Sequence, residues 1–226
     1  MDDALDIVLA GEPMRLFADR ALYWPAQAML VVADLHLEKG SGFAQRHGTL
    51  LPPYDSAATL QALEGAIGRY APARVLCLGD SFHDGDAAAR LGPAETDRLR
   101  GLTARVDWLW IAGNHDPAPP AGLGGRIEAC VAIGPLVFRH EAESGPRSGE
   151  ISGHFHPKAS VATRGRRISA RCFVEDGKRM ILPAFGAYTG GLDVRDPAIR
   201  QHFGRSFMAH VIGRDRVHRF DSGQLG

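Results

Sequence analysis

Three apolar runs, Ala28–Ala33, Arg74–Leu78 and Val106–Ala112, each stop at a short motif of carboxylate, amide and imidazole residues. A short apolar run bounded by turn residues reads as a strand buried on both faces. Between the first two runs, Asp55-Ser56 opens a helical period through Leu60, Leu63, Ile67 and Tyr70, and Pro72 ends it. Between the second and third, Gly92-Pro93 opens another helix, with proline at the first helical position. This alternation predicts an α/β fold with a largely parallel sheet. The C-terminal ends of parallel strands lie along one edge, where such folds bind ligands. The motifs are therefore expected to be neighbours in space although they are distant in sequence.

After residue 125 the helical pattern disappears. Strand-like runs follow at Arg126–Ala132, Leu136–Arg139, Glu150–Ser152, Ala159–Thr163, Arg171–Glu175, Arg179–Leu182 and Phe207–Ile212, separated by glycine and proline. They predict a second sheet packed on the first. With 226 residues, 45% of them hydrophobic, the chain can bury a sizeable core. Pro117–Gly122 is a loop too short to serve as an interdomain linker, so residues 1–226 are expected to form one domain. The acidic start, Met1 to Asp6, lacks the apolar run of a secretory signal, and no stretch approaches membrane-spanning length. Cys77, Cys130 and Cys172 are odd in number and lack metal-ligand spacing, as expected of reduced thiols in a cytoplasmic protein.

The motifs carry the chemistry. They are Asp34-Leu35-His36, Gly79-Asp80-Ser81-Phe82-His83, Gly113-Asn114-His115-Asp116, His140 and Gly153-His154-Phe155-His156, and they hold six of the ten histidines. Asp34 and His36 are one residue apart, so in an extended segment both point the same way. His154 and His156 repeat that spacing. Oxygen and imidazole donors without thiolate suit two divalent ions: manganese first, with iron or zinc as alternatives. Asp80 stands between the two donor sets and is the expected bridge. Two ions about 3.5–4 Å apart clamp a phosphate and bring a shared water's pKa near neutrality, and that hydroxide attacks phosphorus in line. His115, next to Asn114, is the candidate proton donor, with Asp116 expected to orient its ring. His83, three residues past Asp80, is within reach of the same phosphate.

In order and composition these motifs resemble the calcineurin-like metallophosphoesterases. The resemblance implies a four-layer sandwich of two mixed β-sheets flanked by helices and a dinuclear metal centre. It assigns Asp34, His36, Asp80 and His156 to one ion, and Asp80, Asn114, His140 and His154 to the other. The fourth motif usually reads Gly-His, whereas here Arg139 precedes His140. Within the family, Gly-Asp-Ser-Phe-His is similar to the DNA-repair nucleases, in which the histidine after the bridging aspartate assists the reaction. Ala33–Gly40, Leu51–Asp55 and Leu182–Gly191 are similar to the bacterial ligase-associated DNA-damage-response phosphodiesterases. That branch implies DNA as substrate and a DNA ligase, a helicase and an exonuclease-like protein as partners.

Charge bears on the substrate. Residues 1–113 carry 10 basic and 15 acidic side chains, a balance of −5; residues 114–226 carry 16 and 11, a balance of +5. Arginine outnumbers lysine 23 to 3. Arginine grips phosphate bidentately, although a GC-rich genome explains the ratio equally well. Lys39, Arg46 and His47 are candidates for substrate contact, against a solvated loop. Arg164, Arg166, Arg167 and Arg171 are either a phosphate-neutralising cluster or a solvated face. The leading expectation is a phosphodiesterase acting on DNA, and the rival is a phosphomonoesterase or nucleotidase for small phosphate compounds. A non-catalytic scaffold is disfavoured because the ligand set is complete.

Overall fold

The computed structural model describes residues 4–42, 55–116, 122–145, 147–163 and 165–226. The first sheet contains, in spatial order, β1 (Leu5–Leu9), β2 (Glu12–Leu16), β3 (Leu22–Trp24), β4 (Met29–Val32), β5 (Arg74–Leu78), β6 (Asp107–Ile111) and β7 (Arg126–Glu128). Antiparallel hairpins join β1 to β4, and parallel ladders join β4 to β7. The second sheet contains β8 (Cys130–Ile133), β9 (Leu136–Arg139), β10 (Glu150–Ser152), β12 (Arg166–Glu175), β13 (Arg179–Ile181), β14 (Met208–Ile212) and β15 (Val217–Asp221). Their order is β15-β14-β12-β13-β10-β9-β8, and β11 (Lys158–Thr163) is a hairpin partner of β12. Among the described residues, α1 (Asp55–Tyr70), α2 (Ala87–Arg90), α3 (Pro93–Thr103) and α4 (Pro197–Arg200) are helices; residues 39–42 are also helical, and Pro25–Gln27 is a 3-10 turn.

Side-chain alternation builds the layers. Along β4, β5 and β6, Met29, Val31, Leu76, Leu78, Leu109 and Ile111 face the second sheet, meeting Phe138, Ile151, Phe173 and Met180. Leu30, Val32, Val75, Cys77, Trp108 and Trp110 point the other way, onto Leu60 and Leu63 of α1 and Leu99 and Leu102 of α3. Both faces are covered, which is why these strands read as unbroken apolar runs. The far face of the second sheet is covered by Ile199, Phe203 and Phe207. At about 1.5–3 kcal/mol per buried aliphatic or aromatic side chain, these three clusters supply the main drive to fold.

The architecture is the expected one, two mixed sheets with helices outside, with three differences. First, β1 to β3 and β15 add strands where no run was read; Asp6 and Val8 of β1 are exposed, so its apolar signal is broken. Second, Arg126–Ala132 is two strands. The chain leaves the first sheet after Glu128 and enters the second at Cys130, since β7 pairs with β6 and β8 pairs with β9. Third, α4 is a one-turn helix after residue 125, opened by Pro197, with the Asp196 carboxylate accepting from Ala198 N–H. No helix among the described residues is long and apolar enough to cross a membrane.

Candidate metal centre and active site

The motifs meet because both sheets point their parallel strands at one edge. Asp34, Asp80 and Asn114 follow β4, β5 and β6; His140 and His154 follow β9 and β10, which are also parallel. Beyond the strands, the first two motif loops stay zipped together: His36 N–H donates to Asp80 O at 2.9 Å, and Leu37 N–H to Ser81 O at 2.9 Å. Across the sandwich, Gly186 N–H donates to Asp34 O at 3.1 Å; within the second sheet, Gly153 N–H donates to His140 O at 2.9 Å.

The backbone at the site is strained. Asp34, His36, Asp80, His154 and His156 have φ of 53°, 44°, 45°, 70° and 48°. An L-residue in this left-handed region costs about 1–2 kcal/mol, and such strain concentrates at functional sites. Its effect here is to turn successive side chains inward from one loop. Two glycines make room. A Cβ on Gly79 would stand 2.5 Å from His140 Nδ1, and one on Gly153 would stand 2.6 Å from Asp34 Oδ2.

Two donor groups result: Asp34, His36 and His156, and beside them Asp80, His140 and His154. In the first, His36 Nε2 is 3.2 Å from His156 Nε2, which is 3.3 Å from Asp34 Oδ1. In the second, His154 Nδ1 is 3.1 Å from His140 Nε2, which lies 2.9 Å from Asn114 Oδ1 and 3.4 Å from Asp80 Oδ1. Asp80 addresses both groups, its Oδ2 standing 3.9 Å from His36 Nε2. Ligands about 2.1 Å from a common cation stand roughly 3.0–3.4 Å from one another in octahedral or tetrahedral shells. Within each group the separations lie at or within 0.1 Å of that spacing, and only the Asp80–His36 separation of 3.9 Å is wider, so the donor set fits two divalent ions. His140 belongs to the set despite the preceding Arg139. Its Nδ1 lies 2.9 Å from the Leu78 carbonyl, which fixes the ring with Nε2 facing inward. No residue-type signal could have announced Leu78, because every residue offers a carbonyl.

The charges suit ligation. Burial and the nearby His156 hold the His36 imidazole well below its ordinary value, and burial with His140 lowers His154, so both keep a lone pair free. Burial works against ionising Asp80, yet the contact with His140 holds its carboxyl well below the usual range. Burial likewise opposes a charged His140, but Asp80 and Asp34 outweigh it and raise that imidazole.

His115 and His83 stand beside the donors. Their rings stack at 5.6 Å with 17° between planes, and His115 Nε2 is 3.9 Å from Asp80 Oδ2. The His115 side chain is 39% exposed, so it is open to an incoming molecule. Asp116 does not orient its ring as expected. Its Oδ2 instead accepts from the N–H groups of Ser81 at 2.8 Å and Phe82 at 3.1 Å, clasping the turn that carries Asp80. It is drawn to those amides because they are buried donors without another partner in that turn. Burial and the Asp80 charge push its carboxyl up to about 7 against the pull of those two amides.

Of the basic candidates, Arg46 and His47 lie outside the described residues, as do Arg164 and Leu51–Tyr54. Arg166 and Arg167 are exposed at the end of the β11–β12 hairpin, where Arg167 donates to Gly226 O at 2.7 Å. Arg171 lies apart from them, half-buried, with its guanidinium on the carbonyls of Ala187 and Thr189.

Comparison with known proteins agrees with this geometry. The calcineurin-like phosphoesterase family matches residues 28–178. The chain is similar to the solved Pseudomonas putida nuclease MPE at 30% identity and a TM-score of 0.72, covering 96% of this chain and 100% of that one. The Escherichia coli phosphoesterase YfcE matches at 14% identity and a TM-score of 0.40, over 85% of this chain and 97% of its own. No curated protein matches the sequence.

Proposed function

We propose, because this chain belongs to the calcineurin-like phosphoesterases and is a metal-dependent phosphoesterase, that its substrates are phosphodiesters of DNA, cleaved in a nuclease reaction tied to repair. Asp34, His36 and His156 would hold one divalent ion and Asp80, Asn114, His140 and His154 the other, with Asp80 shared. When bound, such a pair supplies charge neutralisation at phosphorus and a water acidic enough to attack near neutral pH. The chain's own groups supply the remainder. The Asp116 clasp keeps the Asp80 turn in its strained form, so the donors are preorganised. His115, exposed beside Asp80, gives its proton to the departing oxygen as the ester bond breaks. His83, stacked on it, contacts the same phosphate.

The observation that carries the reading is this stacked imidazole pair at the open side of the donors, in a chain that matches a nuclease along its whole length. Hydrolysis of bis-p-nitrophenyl phosphate, p-nitrophenyl phosphate and labelled single-stranded, duplex and nicked DNA, with manganese, iron or zinc, tests it. The diesters are expected to dominate; a faster monoester would sink the nuclease reading. His115→Ala should keep two metal equivalents and lose about 10²–10⁴ in kcat. Loss of a metal instead would make His115 a ligand. Association with a DNA ligase, a helicase or an exonuclease-like protein belongs to the same proposal, as does a cytoplasmic location.

A further inference from the structure

Three cations from distant stretches of the chain come within electrostatic reach of one another near the donor residues. Arg20 is in the turn between β2 and β3, Lys39 lies three residues past His36, and Arg171 is in β12. One loop ties the arginines to the metal centre. Phe185 N–H donates to Ala33 O at 2.7 Å and Gly186 N–H to Asp34 O at 3.1 Å. The Arg20 guanidinium lies 5.0 Å over the Phe185 ring, and Arg171 Nη2 reaches Ala187 O at 3.2 Å and Thr189 O at 3.4 Å. Lys39 feels the charges of Asp34, Asp80 and Arg171.

Among the described residues none of the three forms an ion pair with a carboxylate. Arg171 is held by carbonyls alone; Arg20 donates to Asp19 O at 3.2 Å and feels the Asp19 charge, and Lys39 feels those of Asp34, Asp80 and Asp55, without a direct ion pair in any case. All three are half-buried. Burial and the neighbouring Arg20 draw Arg171 down to about 10, and burial also lowers Lys39. Gathering partly desolvated like charges is costly unless an anion answers them.

We propose that Arg20, Lys39 and Arg171 form a second phosphate subsite, which takes the phosphate adjacent to the scissile one in an oligonucleotide. This rests on the diester reading above and sharpens it: the preferred substrate has at least two consecutive phosphates. Tyr188, between the two carbonyls that hold Arg171, is 38% exposed and offers a ring for the base attached to that phosphate. The lysine is a point charge, while the arginine forks present planar pairs of donors to phosphate oxygens.

The test uses the metal-loaded enzyme with two substrates, a labelled oligonucleotide and bis-p-nitrophenyl phosphate, which has a single phosphate. Arg20→Ala, Lys39→Gln and Arg171→Lys are compared at equal metal content. Each is expected to lose about tenfold in kcat/KM on the oligonucleotide, mainly through KM, and much less on the small diester. The slope of log(kcat/KM) against log salt should fall by about one for Arg20→Ala and for Lys39→Gln, and stay unchanged for Arg171→Lys, which keeps the charge. A substrate-side arm avoids any folding defect: a neutral methylphosphonate at the phosphate on either side of the scissile bond. Placed on the correct side it should slow the wild type by a similar factor and the variants much less. Equal losses on both substrates, or indifference to methylphosphonate on both sides, overturns the subsite. A wild type that hydrolyses the small diester but no oligonucleotide overturns the nuclease reading instead.

Discussion

Replacing Asp116 by asparagine separates two roles for that carboxylate. Its Oδ2 accepts two backbone N–H groups, Ser81 at 2.8 Å and Phe82 at 3.1 Å, in a site 2% exposed. Asparagine offers an oxygen of the same shape, so Asp116→Asn should keep the clasp. Asp116→Ala leaves two buried donors unmet, at about 1–3 kcal/mol each, and should destabilise the protein by about 2–6 kcal/mol. The charge has its own signature. Burial, then Asp80, raises this carboxyl from 3.8 to about 7 in the metal-free protein. The folded state therefore binds more protons than the unfolded state between those values, and stability falls as pH rises through that window. The drop is at most about 4 kcal/mol, from a shift of about three pKa units at 1.36 kcal/mol each. Urea unfolding of metal-free wild type and Asp116→Asn at pH 4.5 and 8 measures it. The variant should gain relative to wild type at pH 8 and little at pH 4.5. Bound metal, by neutralising Asp80, should shrink the difference. If Asp116→Asn instead kept its metals but lost kcat by three or four orders of magnitude, Asp116 would be orienting His115 and the clasp would be the wrong account.

Three further outcomes follow from the site. Gly79→Ala places a methyl group 2.5 Å from His140 Nδ1 at a φ of 74°, so it should displace His140 and cost one metal equivalent, read by elemental analysis; two retained equivalents would show that His140 is dispensable. Because Asp80 and Asp34 hold a proton on His140 against the effect of burial, metal loading near pH 7 must expel it. Affinity should rise with pH, and calorimetric heats should depend on the buffer's ionisation enthalpy; buffer-independent heats would mean that the ring is already neutral. Glu150 is 3.0 Å from the buried Arg179 guanidinium and 3.3 Å from Arg139, so Glu150→Gln strands a buried cation. A loss of about 3–5 kcal/mol is expected in urea unfolding, and less than about 1 kcal/mol would contradict it.

What could be read in advance was whatever is written in consecutive residues. The strands before Asp34, Asp80 and Asn114 were plain because both their faces are buried and, after Arg74 and Asp107 at two of their starts, every position is apolar. The donors were plain because ligation demands particular residue types at short spacing. Strand β1 was not, because its solvent-facing side carries Asp6, which breaks the run. The break between β7 and β8 was hidden for another reason: Arg126–Ala132 has strand composition throughout, and only hydrogen-bond partners divide it between two sheets.

The order of residues thus sets the chemistry on offer: an oxygen and imidazole donor set, two further imidazoles beside it, and strands that deliver the first three motifs to one edge. Folding in three dimensions settles which atoms face which. It gives Asp116 to the backbone of Ser81 and Phe82 rather than to His115, because buried amides must find acceptors. It turns His140 inward through the Leu78 carbonyl, without the usual preceding glycine. It also brings Arg20 and Arg171 to the Phe185–Thr189 loop, within electrostatic reach of Lys39. Those three share no motif and no spacing, since their proximity comes from two sheets folding face to face and not from their order along the chain.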